Sequence, residues 1–122
     1  MGKFVIRQVP SGIKFDLRAG NGETILTSEV YTTLAACRKG LASVRKNAPA
    51  ANVENQTVEG YQALSHPKFE MYEDKSGQFR FRLKARNGQI IATSEGYTAK
   101  AGCLNGIESV KRNAAEADVV EE

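Results

Sequence analysis

The stretch from Lys3 to Ala48, KFVIRQVPSGIKFDLRAGNGETILTSEVYTTLAACRKGLASVRKNA, returns from Lys68 to Ala114 as KFEMYEDKSGQFRFRLKARNGQIIATSEGYTAKAGCLNGIESVKRNA. About half of the aligned positions are identical, and a repeat of this length makes each copy one supersecondary unit. A copy of about 50 residues buries too little surface to outweigh its conformational entropy. The two halves are therefore expected to share one core within a single pseudo-twofold domain over residues 1–122. Repeat one then covers 3–54, a join covers 55–67 and repeat two covers 68–120. On the same reasoning a one-copy relative would have to dimerise, and the duplicated chain is expected to be a monomer.

Within each copy the hydrophobic pattern changes period in a fixed order. A short apolar–polar segment (KFVI, KFEMYED) leads to a turn signal, PSG or KSG, and then to the clearest strand, Gln78 to Arg86. There Phe79, Phe81, Leu83 and Ala85 share one face and Arg80, Arg82, Lys84 and Arg86 the other, as in a half-buried strand. Ile13, Phe15, Leu17 and Ala19 make the same inward row in the first copy. Asn21-Gly22 and Asn87-Gly88 follow, a signal for a type I′ hairpin turn, and third strands are expected over Glu23–Ser28 and Gln89–Ser94.

Helices come next, with Thr32 and Thr98 as expected N-caps. Cys37, Leu41 and Val44, and Cys103, Ile107 and Val110, recur at helical spacing. Lys and Arg crowd the last turns, and Asn47 and Asn113 are candidate left-handed terminators. Gly40 and Gly106 sit mid-helix, where each costs about 1 kcal/mol against Ala; close approach to the sheet or the twin helix is the expected reason. Short fourth strands are expected at Ala51–Glu54 and Ala117–Val120, and the join up to Pro67 reads as polar and exposed.

The fold class is α+β: two tandem units of three strands, a helix and a strand, in one antiparallel sheet with two helices on one face. The expected core is Phe15, Leu17, Ile25, Leu41, Val44, Phe79, Phe81, Leu83, Ile91, Ile107 and Val110.

The combination SGxFRFRLKAxNG, TSExYT and NGIESVKxNA, which covers nearly the whole chain apart from the join and the acidic tail, resembles the YegP-like family of small tandem-repeat bacterial proteins. The second copy matches better; the first departs at Pro10, at Gly20 and at Lys39-Gly40, where the usual pair is Asn-Gly. The resemblance implies one continuous sheet with the last strands exchanged between halves, and it supplies no reaction.

A net charge of +3 is mild for a dedicated nucleic-acid binder. No run approaches the roughly 20 apolar residues that cross a bilayer, so no membrane partner is expected. MGKFVIRQ lacks the features of a signal peptide, which leads to an expected cytoplasmic location. Cys37 and Cys103 read as small buried hydrophobes. With one His the chain has too few soft ligands for a zinc site, and no metal or cofactor is expected.

Two candidate contact surfaces remain. The repeated TSExYT places Ser28, Glu29 and Tyr31, and Ser94, Glu95 and Tyr97, at strand–helix junctions where loops present ligands. The same residues equally suit a structural role, fixing the turn and covering the core edge. The basic row Arg80, Arg82, Lys84 and Arg86, with Lys14 and Arg18, could follow a phosphate backbone on an open sheet face. Alternatively Glu70, Tyr72 and Asp74 point to that face and pair with it. His66, before Pro67, lacks a catalytic partner. The expected function is a non-catalytic module binding a protein or small molecule. Weak nucleic-acid binding through the basic face and a small enzyme using the TSExYT loops are the alternatives.

Overall fold

The computed structural model describes residues 2–122. Strands β1 (Lys3–Val9), β2 (Gly12–Arg18) and β3 (Thr24–Ser28) lead to helix α1 (Leu34–Asn47), a short 3-10 turn (Ala48–Ala50) and β4 (Asn52–Asn55). The second copy repeats the order: β5 (Lys68–Glu73), β6 (Phe79–Lys84), β7 (Ile90–Thr93), α2 (Lys100–Ala114) and β8 (Asp118–Glu121).

Among the described residues the strands form one sheet in the order β4-β5-β6-β7-β3-β2-β1-β8. That order is symmetric about the antiparallel β3–β7 junction, where Thr27 faces Thr93. The last strand of each copy crosses to the other: β4 lies beside β5 and β8 beside β1. Neither copy completes its sheet without its twin. Both edge pairs are parallel, so the sheet is mixed rather than wholly antiparallel. The helix-linked strands, β3 with β4 and β7 with β8, run in opposite directions; β4 and β5 are linked instead by residues 56–67, which carry the chain back to the starting end so that the two run parallel.

Period-2 alternation aims Phe4, Phe15 and Leu17, with Phe69, Phe81 and Leu83, at the helices, and all six are fully buried. Phe4 meets Phe15 edge-on at 5.8 Å and Phe69 meets Phe81 at 5.7 Å, favourable aromatic geometry. Cys37, Leu41 and Val44 of α1 and Cys103, Ile107 and Val110 of α2 close the same cluster. Both cysteines are free thiols, and burial pushes the Cys103 thiol up to about 11.

Several local expectations change. Thr33, not Thr32, caps α1, its Oγ1 accepting from the Ala36 amide at 3.1 Å; at α2 the cap is Ala99, with no side-chain bond. Asn47 and Asn113 are not left-handed, since only glycines have positive φ. Each instead donates from its side-chain amide to the carbonyl and hydroxyl one turn back, Ser43 and Ser109. The Asn-Gly turns are three-residue loops rather than type I′ turns. The Gly22 amide donates to the Ala19 carbonyl and the Ala19 amide to the Glu23 carbonyl, and Gly22 alone takes a positive φ of 87°. The extra residue shifts the register between Leu17 and Arg18, as happens again between Leu83 and Lys84. Phe79 is half-buried at the core edge rather than central. The expected core also lacked Phe4, Ile6, Phe69 and Met71, all buried.

Candidate functional site

The TSExYT junctions are held by their own side chains. Where β3 leaves β2, the Ser28 hydroxyl accepts from the Phe15 amide at 2.9 Å and donates to the Glu29 carbonyl at 2.7 Å. Ser94 repeats both bonds with Phe81 and Glu95, at 2.9 and 2.8 Å. Both hydroxyls are buried and replace a sheet bond that the diverging strand no longer supplies. Tyr31 and Tyr97 continue the sheet by single bridges to Ile13 and Phe79 and stack on Phe15 and Phe81. Desolvation raises both phenols above their ordinary pKa.

These tyrosines also explain the helical glycines. A Cβ on Gly40 would stand 2.1 Å from the Tyr31 hydroxyl, and one on Gly106 would stand 2.3 Å from that of Tyr97. The close approach expected from the sequence is therefore to the ring of the repeated motif. Glu29 and Glu95 are exposed. The junction uses serine and tyrosine as structure and leaves the carboxylates facing solvent.

On the sheet face away from the helices the basic row is partnered. Arg80 donates to Asp74 at 2.6 Å and Arg82 to Glu70 at 2.6 Å, while Lys84 lies 3.2 Å from Glu70. The Arg82 guanidinium also stands 4.5 Å over the Tyr72 ring, a cation–π contact. Bonds from the Ser76 hydroxyl and the Arg80 guanidinium hold the Asp74 carboxyl well below the usual carboxylate range. In the other half Arg7 pairs with Asp16 at 2.8 Å, and Arg18 approaches Glu122 at 3.7 Å. Lys14 has no ion-pair partner among the described residues. Arg86 is not in the row: it lies beyond the end of β6, in the turn leading to β7.

Sequence reasoning missed the centre of this network. Glu54, expected at the end of a fourth strand next to the exposed join, is 2% exposed, and Lys68 is 5% exposed. The Lys68 ammonium donates to Glu54 at 2.7 Å and lies 3.3 Å from Glu70. Gln56 and the Leu64 amide, both from the join, also donate to Glu54 at 2.6 and 2.7 Å. Burial works to raise the Glu54 carboxyl; the bonds from Lys68, Gln56 and Leu64 outweigh it and hold the pKa at about 2. The join thus folds onto the sheet. A signal was present: Glu54 and Glu70 align with Val120 and Val5 in the other copy, and each pair is in register.

An open concavity lies beside α1. A groove of about 370 Å³ between α1 and the β6–β7 turn is lined by Lys39, Ala42, Ser43, Lys46, Ala85 and Arg86, among others. A second hollow of about 430 Å³ shares Lys39, Ser43 and Ala85 and extends it to Tyr31, Ile90 and Ile91. A third, of about 170 Å³, continues past Lys46 and Arg86 to Pro67. No acidic side chain lines any of the three.

Comparison with known proteins now places the fold. The profile described as "Domain of unknown function (DUF1508)" matches residues 12–55 and 74–121, once per copy. The chain belongs to this family. It is 43% identical over 103 residues to the "UPF0339 protein YegP" of Escherichia coli O157:H7, covering 84% of this chain and 80% of that one. The solution NMR structure of the "protein of unknown function yegP from E. coli" superposes with a TM-score of 0.81 at 37% identity, covering 99% of this chain and 92% of that one. A "UPF0339 protein" of Treponema denticola is 67% identical over 54 residues, which is 44% of this chain and 93% of that protein. That relative is about the length of one copy, the case for which the repeat argument expects dimerisation. None of these names carries an activity, and no helix of the described residues is long and apolar enough to cross a membrane.

Proposed function

We propose that the chain works as a single pseudo-twofold, non-catalytic binding module whose contact surface is the groove along α1. The observation that carries this reading is the distribution of satisfied groups. The serines and tyrosines of TSExYT are spent on the strand–helix junction, and most of the basic sheet row is spent on Asp74 and Glu70. The groove, by contrast, offers Lys39, Lys46 and Arg86, which make no salt bridge or side-chain hydrogen bond among the described residues. Its two larger hollows, about 370 and 430 Å³, fall at the lower end of the roughly 300–1,000 Å³ range of small-molecule sites. The partnered sheet face weighs against the nucleic-acid alternative, since a phosphate would have to displace a bonded carboxylate from each guanidinium. The buried Ser28 and Ser94 hydroxyls, each with no adjacent base, weigh against the enzymatic one.

The test is a thermal-shift panel of neutral, cationic and anionic small molecules on the native chain and on Ala42→Trp. Ala42 is an exposed helix position that lines the groove, so the indole fills it while leaving the core untouched. Compounds that raise the Tm of the native chain and not of the variant support the reading. Equal shifts in both, or none in either, contradict it.

A further inference from the structure

We infer that the α1 groove binds a small molecule carrying phosphate groups, with its apolar body against Ala42, Ala85 and Ile90; this rests on the groove being the contact surface. Lys39, Lys46 and Arg86 line the connected hollows. None of the three makes a salt bridge or side-chain hydrogen bond among the described residues. Most of the other guanidinium groups are partnered: Arg7, Arg18, Arg38, Arg80 and Arg82 each have a carboxylate and Arg45 donates to backbone carbonyls, with Arg112 the exception among the described residues. Three like charges gathered round one concavity repel each other, and an anion removes that cost.

The duplication provides an internal control. Lys39, Lys46, Arg86 and Ala42 align with Asn105, Arg112, Gly20 and Glu108 in the other copy. The twin location therefore carries one cation and one carboxylate where the α1 groove carries three cations and no acid. A solvated helix face would give no reason for the charge to gather in one copy beside its concavity.

Geometry selects the anion. Lys39 and Lys46 are seven residues apart on α1, which places them about 10 Å apart along its axis. Arg86 approaches the same groove from the β6–β7 turn, and its planar fork suits two oxygens of a phosphate group. Between the polar Ser43, Asn47 and Asn87 the lining includes the apolar Ala42, Ala85, Ile90 and Ile91, so a ligand with a hydrophobic body is favoured over free phosphate. Three cations in a short groove fit one or two phosphate groups. A polymer needs a longer track of contacts.

The test is isothermal titration calorimetry of the full chain at low salt with adenosine diphosphate, pyrophosphate, adenosine and a single-stranded RNA. Saturable one-to-one binding of adenosine diphosphate, tighter than pyrophosphate or adenosine, is expected. Lys39→Gln with Arg86→Gln should weaken it by at least about tenfold, the loss of charged hydrogen bonds. Arg112→Gln, at the counterpart of Lys46 in the other copy, should leave it unaltered. No heat with either adenosine diphosphate or pyrophosphate overturns the proposal. Adenosine binding as tightly as its diphosphate also overturns it while leaving the groove as a binding surface. RNA binding in place of the nucleotide overturns the small-molecule assignment.

Discussion

Replacing Glu54 with Gln removes one charge from the centre of the buried network and almost no volume. The native carboxylate accepts from Lys68, Gln56 and the Leu64 amide, and its pKa sits at about 2 against an ordinary 4.5. That difference corresponds to about 3 kcal/mol of stability at neutral pH. Because the folded value is depressed, the contribution is complete above about pH 4.5 and is lost as pH falls through 2. Lys68 keeps Glu70 at 3.3 Å in the variant, so the loss should stay near the lower end of what breaking a buried pair costs, about 3–5 kcal/mol. Urea unfolding followed by circular dichroism reads it directly. At pH 7 Glu54→Gln should unfold about 2 M earlier for a slope of roughly 1.5 kcal/mol per M. Near pH 2.5 the gap should shrink to about 1 kcal/mol, because the carboxylate of the unfolded native chain is by then protonated while the folded one is only beginning to be. A gap below about 1 kcal/mol at pH 7, or one that does not change with pH, would refute the reasoning.

Ser94→Ala should cost about 1–3 kcal/mol in the same assay, because the buried Phe81 amide loses its acceptor, whereas exposed Glu95→Ala should stay within about 0.5 kcal/mol. Gly106→Ala gains about 1 kcal/mol of helix propensity but drives a methyl into the Tyr97 hydroxyl and the Phe81 ring, so a net loss is expected. In a Tyr97→Ala background the same change should become stabilising; a loss of equal size there would show that the ring is not the obstacle. Residues 55–122 expressed alone should elute as a dimer, with β8 taking the place of β4 beside the β5 of the second copy. A folded monomer by light scattering would contradict the exchange argument.

The fold was legible in the sequence because the repeat and its change of period each constrain every residue of a copy. Alternation put Phe81 and Leu83 inward, helical spacing put Cys103, Ile107 and Val110 against them, and the duplicated order gave the pairing of elements. Cap and turn details were less legible. Thr32 and Thr33 are chemically equivalent N-caps, and the choice depends on where the Tyr31 bridge releases the chain. An Asn-Gly pair fits both a two-residue and a three-residue loop. The candidate site was half legible. The paired reading of Arg80 and Arg82 with Asp74 and Glu70 followed from facing strands. Glu54 and Lys68 were missed because their burial depends on the join folding back over the sheet. The groove was missed because Lys39, Lys46 and Arg86 lie far apart in sequence and on different elements, and no local pattern connects them.

The proposed contact surface is the groove along α1 and not the basic sheet face. An amide chemical-shift map of the labelled chain titrated with adenosine diphosphate tests it most directly. The predicted result is a set of saturating shifts confined to α1 from Lys39 to Asn47 and to the turn from Ala85 to Gln89, with β1, β2 and β5 unmoved. Shifts centred on Lys14, Arg80 and Arg82 would contradict it.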